Sequence, residues 1–260
     1  MSIITLTTDF GLKDNFVGVM KGVILEINLQ ATVVDLTHDL PRHNISHAGF
    51  SLWSAYSYFP AGTIHAAVVD PGVGSARSIL AVKANRHFFI APDNGLLSYI
   101  MEDDPNFEAR LITNPALPLS SVSRTFRGRD VIAPSAAHLS MGFPFCEIGP
   151  LTLDLVRLPA LSPKRTDDLI TGRVIYVDHF GNLITNISEN LLAAWSPSSI
   201  HITVGHVILN GLRPNYASVP VGEYLAVIGS NGLVEIARNM GIAEDRPHLT
   251  SGTAVVIRRV

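Results

Sequence analysis

The chain has 260 residues, 47% hydrophobic and 16% charged, a balance that suits a folded protein with a sizeable core and excludes wholesale disorder. A formal net charge of −3, with no basic run, excludes the electrostatic footprint of a nucleic-acid binder. One cysteine, Cys146, rules out an intrachain disulfide. With no basic-then-apolar leader and no bilayer-length apolar run, a cytoplasmic location is expected and no membrane partner.

Residues 3–7 read Ile-Ile-Thr-Leu-Thr, a brief β-branched run that predicts a strand. Asp9 to Asn15 has turn composition, and residues 16–28 place Phe16, Met20, Val23, Ile24 and Ile27 at helical spacing. A second strand over 31–36 completes a β-α-β unit, which pairs two parallel strands through a right-handed crossover. The pattern continues with a helix over 45–58, strands over 63–69, 78–82 and 87–91, and a helix after Asn94-Gly95. Apolar runs without alternation predict strands covered on both faces, as in a parallel sheet between helices.

The texture changes after Gly149. Residues 159–168 mix prolines, serines and charges, the composition of a linker. Beyond them, short strands are expected over 171–177, 200–203, 206–209, 223–228, 233–237 and 253–257, separated by Gly, Asn and Pro. The expected architecture is α/β. An amino-terminal α/β domain with a largely parallel sheet spans 1–160, a linker 161–170, and a smaller barrel- or sandwich-like β-rich domain 171–260.

Two acids stand where buried strands run out. Asp9 follows the first strand in Thr8-Asp9-Phe10-Gly11, where a carboxylate can accept both hydrogen bonds of a ribose diol or simply turn the chain. Asp70 ends another strand in Val69-Asp70-Pro71-Gly72-Val73-Gly74, with Arg77 close enough to fold back on it, for catalysis or as a structural ion pair. The third glycine of a dinucleotide fingerprint is missing there, and a strand follows. Gly128-Arg129-Asp130 leads into a run of small residues in which His138 is the only titratable side chain. His38, His43 and His47 with Asp35 and Asp39 make a conceivable metal set, but without an established ligand spacing, and no metal is expected. Asp178-His179-Phe180-Gly181-Asn182 offers an aromatic and an amide for a flat base, and Gly229-Ser230-Asn231-Gly232 reads as a hairpin turn with polar side chains.

These segments, with Val34-Asp35-Leu36-Thr37-His38 and Ala91-Pro92-Asp93-Asn94-Gly95-Leu96-Leu97, occur in an order that resembles the S-adenosyl-L-methionine hydroxide adenosyltransferases, relatives of the fluorinases and chlorinases. The resemblance spans nearly the whole chain. It implies attack of water or hydroxide on C5′ of S-adenosyl-L-methionine, giving adenosine and L-methionine, with the sulfonium compound as substrate and no cofactor. It also implies an α/β domain followed by a β-rich one, and a homotrimer with active sites between subunits. By the same matching the catalytic set falls on Asp70, Arg77 and His138. Asp9 would take the ribose hydroxyls, Asp14, Asp178 and Ser230 the methionine end, and Phe180, Asn182 and Arg238 the adenine. Asn231 stands where fluorinases have arginine, and His43 where they have tryptophan. The halogenases carry a tyrosine in place of Asp70, a serine in place of Gly128 and a long insertion after the strand ending near Val82, so halide chemistry is disfavoured. Two alternatives from other classes remain: a non-catalytic binder of S-adenosylmethionine or adenosine, and a metal-assisted hydrolase built on the His38–His47 region.

Overall fold

The β-branched run at the amino terminus forms β1 (Ile3–Thr8), and Asn15 marks the start of α1 (Phe16–Ile27), which buries Val17, Met20 and Ile24 about one turn apart. The computed structural model describes residues 2–159, 162–245 and 247–260. It divides the chain into two compact units, one up to Leu158 and one from Pro159 onward.

In the first unit β2 (Thr32–Thr37) is followed by α2 (Ile45–Tyr56), whose first turn is capped by Asn44 Oδ1 accepting the His47 N–H at 3.0 Å. Then come β3 (Ile64–Val68), β4 (Ile79–Ala84), β5 (His87–Pro92), α3 (Ser98–Asp103) and β6 (Glu108–Leu111). A π-helical turn over Gly128–Ile132 runs into α4 (Ala133–Ser140). The six strands lie in the order β2-β1-β3-β5-β4-β6, with β1, β2, β3 and β5 parallel and β4 antiparallel to both of its neighbours. One face packs Leu6, Ala66 and Val68 on Met20 and Ile24 of α1 and Ala133 and Ala136 of α4. The other packs Ala67, Val69 and Phe89 on Leu52 and Tyr56 of α2 and Ile100 of α3. Both faces are covered, which is why these strands read as continuous apolar runs.

One consequence of the register positions the site. Thr8 of β1 is level with Val68 of β3, so Asp9 and Asp70 leave neighbouring parallel strands at the same carboxyl end, where open α/β sheets gather ligands.

The second unit contains β7 (Lys164–Arg165), β8 (Leu169–Val177), β9 (Leu183–Ser188), the short α5 (Glu189–Leu192), β10 (Ile200–Val204), β11 (Val207–Asn210), β12 (Tyr224–Ile228), β13 (Leu233–Arg238) and β14 (Ala254–Arg259). They form one antiparallel sheet in the order β11-β10-β14-β8-β9-β13-β12, with β7 on β8. The sheet curls nearly into a barrel: just past β11, the Arg213 N–H donates to Ala226 O of β12 at 2.7 Å. Ile170, Val174, Ile202, Ile236, Ile257 and Trp195 fill its interior.

The α/β and β-rich architecture is that expected from the sequence. Strands β6, β7 and β9 were not expected. Ala160 and Leu161, where the first domain was expected to end and the linker to begin, lie outside the described residues. Within the expected linker, Lys164 and Arg165 pair with Thr171 and Ile170. No helix among the described residues is long and apolar enough to cross a membrane.

Candidate functional site

Asp9 and Asp70 open onto one cavity of about 340 Å³ in the first unit. Phe10, Phe16 and Phe126 form an aromatic wall there, their centroids 5.4 to 6.0 Å apart in edge-to-face pairs. Arg42, His43, Asp14 and Arg127 supply the remaining charged or titratable lining. Asp9 Oδ2 accepts the backbone N–H of His43 at 2.8 Å, which fixes the carboxylate against the loop before α2. His43 itself has φ 65°, and its ring is exposed. Asp14, in the turn before α1, is exposed at the rim.

Asp70 is more deeply set, its side chain 6% exposed. Its Oδ1 accepts two hydrogen bonds, from Arg77 Nη1 at 2.7 Å and from the Gly72 N–H at 3.1 Å. Its Oδ2 accepts none from the described residues. The turn 70–77 works because Gly72 has no side chain: a Cβ there would fall 2.3 Å from Arg77 Nη2 and push the guanidinium off the carboxylate. Asp70 and Arg77 are therefore brought together as the sequence proposed.

His138 is not brought to them. It lies on α4 beyond the residues that line the cavity, which end at Ile132, and its ring makes an edge contact with Phe143, centroids 6.3 Å apart. Partial burial pushes its imidazole pKa down. The polar group that stands beside Asp70 and Arg77 is Arg127. It precedes the π-helical turn, lines the same cavity as Asp70, and donates through Nη1 to the backbone carbonyl of Arg77. Burial lowers its pKa, the negative charge of Asp70 raises it, and the neighbouring Arg77 guanidinium lowers it again. Asp130 holds this arrangement in place. Fully buried, it accepts the Ser123 N–H at 2.6 Å and pairs with Arg129, pinning the loop that carries Phe126 and Arg127. The Gly-Arg-Asp motif thus acts on the site through loop geometry.

No three His, Cys, Asp or Glu side chains among the described residues converge as metal ligands. His38 is buried between Thr8 Oγ1 at 2.8 Å and Asp35 Oδ1 at 3.0 Å, while His43 turns toward Asp9.

The second unit has its own open cavity, of about 970 Å³, lined by Asp178, Phe180, Asn182, Ser230 and Arg238. Asn231 is not among its lining residues. Asp178 is spent largely on its own loop: Oδ1 accepts the Phe180 and Asn182 N–H groups at 2.9 and 2.8 Å, and Oδ2 the Asn182 Nδ2 at 3.0 Å. That bracing presents Phe180 to solvent, 72% exposed, in an edge-to-face pair with His179, centroids 5.6 Å apart. Arg238 lies over the Tyr224 ring, 5.4 Å from its centroid, and donates to Gly222 O at 2.6 Å. Tyr216 and Glu235 also line the cavity, the phenol donating to Glu235 Oε1 at 2.6 Å. Burial raises the Glu235 pKa, the Tyr216 hydrogen bond lowers it, and Asp178 raises it further.

Sequence reasoning missed Arg42, Arg127 and Phe126 in the first cavity and the Tyr216–Glu235 pair in the second. Arg127 carried one usable signal, its place directly before the Gly-Arg-Asp motif. Glu235 carried another, as the sole charged residue in the apolar run Leu233-Val234-Glu235-Ile236-Ala237.

The chain is similar to known families and structures along most of its length. The model described as SAM hydroxide adenosyltransferase N-terminal domain matches residues 4–149, and the corresponding C-terminal domain model matches residues 172–256. A Thermus thermophilus protein named (R)-S-adenosyl-L-methionine hydrolase is 37% identical over 257 residues, covering 95% of this chain and 96% of its own. A fluorinase from an Actinoplanes species is 26% identical over 292 residues, covering 99% and 97%. The crystal structure of an uncharacterized conserved protein from Thermotoga maritima superposes with a TM-score of 0.91 at 36% identity, covering 98% of this chain and all of that one.

Proposed function

The chain belongs to the SAM hydroxide adenosyltransferase family, and from that premise we propose that it hydrolyses S-adenosyl-L-methionine at C5′, giving adenosine and L-methionine. The observation that carries this reading is Asp70: a nearly buried carboxylate at the carboxyl end of a parallel strand, with one oxygen fixed by Arg77 and Gly72 and the other facing a cavity uncommitted.

The leaving group needs little help, because sulfonium cleavage releases a neutral thioether. The burden falls on the nucleophile. As the C5′–O bond forms, the C5′–S bond breaks and its electron pair returns to sulfur; the proton lost from attacking water goes to Asp70 or to solvent. Asp70 Oδ2 accepts a hydrogen bond from the attacking oxygen and aims it in line with the C5′–S bond. Asp9 takes the ribose hydroxyls, its carboxylate already fixed by the His43 N–H. The aromatic wall of Phe10, Phe16 and Phe126 gives the sulfonium electron-rich ring faces in place of water.

The remaining assignments follow the family resemblance. Residues 1–160 form the catalytic domain and residues 171–260 contribute adenine and methionine contacts, joined by a linker over 161–170. Asp14 and Ser230 contact the methionine end, and Asn231 is a further substrate-binding residue. Asp178 joins Asp14 and Ser230 through the lone pairs its loop leaves over. Phe180 stacks on adenine, framed by Asn182 and Arg238. The enzyme is cytoplasmic, uses no cofactor, and works as a homotrimer whose active sites lie between subunits.

Incubating metal-free protein with S-adenosyl-L-methionine and following adenosine tests the reading. Adenosine accumulating with enzyme concentration is expected. No adenosine above the protein-free background would overturn hydrolysis in favour of a binding role, and turnover only on adding a divalent cation would favour metal-assisted chemistry.

A further inference from the structure

We infer that Arg127 is a catalytic residue: its guanidinium faces the cavity to hold the attacking oxygen as an anion, hydroxide, between itself and Asp70 Oδ2. The inference rests on the hydrolytic reading above and specifies the nucleophile that reading leaves open.

Two guanidinium groups act on the carboxylate of Asp70. Asp70 Oδ1 is taken by Arg77 Nη1 and the Gly72 N–H, so that oxygen is already filled. Arg127 brings the second guanidinium, half-buried at the same cavity wall, close enough to Asp70 and Arg77 for both charges to act on it. No carboxylate of the described residues pairs with Arg127; its Nη1 is anchored instead on a backbone carbonyl. A partly desolvated guanidinium facing a cavity without a carboxylate partner is an anion site. The neighbouring carboxylate adds a complementary feature. Asp70 Oδ2, which accepts no hydrogen bond from the described residues, takes the one proton a hydroxide has to donate, while the oxygen's lone pairs accept from Arg127.

The step then balances without a general base. Hydroxide forms the C5′–O bond, the C5′–S electron pair returns to sulfur, and the cationic sulfonium and the anion give two neutral products. Phe126 and the π-helical turn support the geometry. The adjacent Gly128 is buried and lines the same cavity.

The test uses the full chain with Arg127→Gln and Arg127→Lys, with nitrate as an anion probe and ionic strength held constant with gluconate. Nitrate is expected to inhibit adenosine formation by the unaltered chain. Arg127→Gln should lose roughly 10²–10³ in kcat, the usual cost of one donor to a charged oxygen, and its residual rate should no longer respond to nitrate. Arg127→Lys, which keeps the charge, should recover part of both the rate and the nitrate response. A second arm needs no substrate: nitrate should raise the Tm of the unaltered chain and leave that of Arg127→Gln unchanged. A kcat for Arg127→Gln within threefold of the unaltered chain, or an equal nitrate shift of Tm in both, would overturn the inference. If the unaltered chain makes no adenosine, the hydrolytic reading has failed, and the substrate-free arm still decides whether Arg127 holds an anion.

Discussion

At the scale of single residues, the site turns on how differently two similar acids are held. Both side chains are nearly buried, but Asp9 is fixed by one backbone N–H, whereas Asp70 is ion-paired on one oxygen and uncommitted on the other. Their variants should fail in different ways. Asp70→Asn should lower kcat by roughly 10², the cost of misplacing the attacking oxygen. Asp9→Ala should act chiefly by raising KM, the signature of lost uniform binding; steady-state adenosine kinetics separate the two. Both acids were legible because each ends an apolar strand, a place that sequence marks well. His138 stands apart from the cavity for an equally physical reason. It is the only titratable group in its segment, but it sits six positions past Ile132, about 9 Å farther along a helical axis, with its ring on Phe143. His138→Gln should therefore keep kcat/KM within about threefold while Arg127→Gln does not, a comparison that decides between the two assignments.

At the scale of elements, periodicity recovered the strands and helices that bury one clear apolar face or run. It missed β9, where Leu-Ile-Thr-Asn-Ile-Ser mixes polar and apolar residues yet buries Leu183, Ile184, Thr185 and Ile187 between β8 and β13. Pairing on both sides, which no local pattern encodes, decides that strand. It also missed β6, a charged edge strand whose Arg110 is held by Glu108 at 2.6 Å. The π-helical turn before α4 was invisible, and it is the element that delivers Arg127 to the cavity. Close helix contact gives a test at this scale. Gly49 lets α2 approach α3 so nearly that a Cβ would stand 2.7 Å from Leu96 O and 3.2 Å from Tyr99 Cδ2. Gly49→Ala should cost about 1–3 kcal/mol by overpacking, read from the urea midpoint; an unchanged or raised midpoint would show that the interface relaxes freely.

At the scale of the whole molecule, stability is tied to histidines kept neutral in the core. His65 is fully buried, bonded to Thr5 at 2.8 Å, and burial with the neighbouring His87 pushes its pKa from 6.5 down to about 3. The unfolded chain takes up a proton near pH 6.5 that the folded chain refuses until about pH 3, so stability is full above that window and is lost as pH falls through it. His47, with its pKa lowered to about 4 by burial, adds to the same trend. By linkage, His65 alone should remove about 2 kcal/mol between pH 7 and pH 5. The unfolding free energy should therefore fall over that range in the unaltered chain, and less steeply in His65→Gln; a flat profile would mean that the core histidines are not held neutral. The central claim concerns the oxygen that ends on adenosine. Turnover in water enriched in the heavy oxygen isotope should place that isotope in the 5′-hydroxyl of adenosine and leave methionine unlabelled. Adenosine without the label, or label in methionine, would contradict attack of water or hydroxide on C5′.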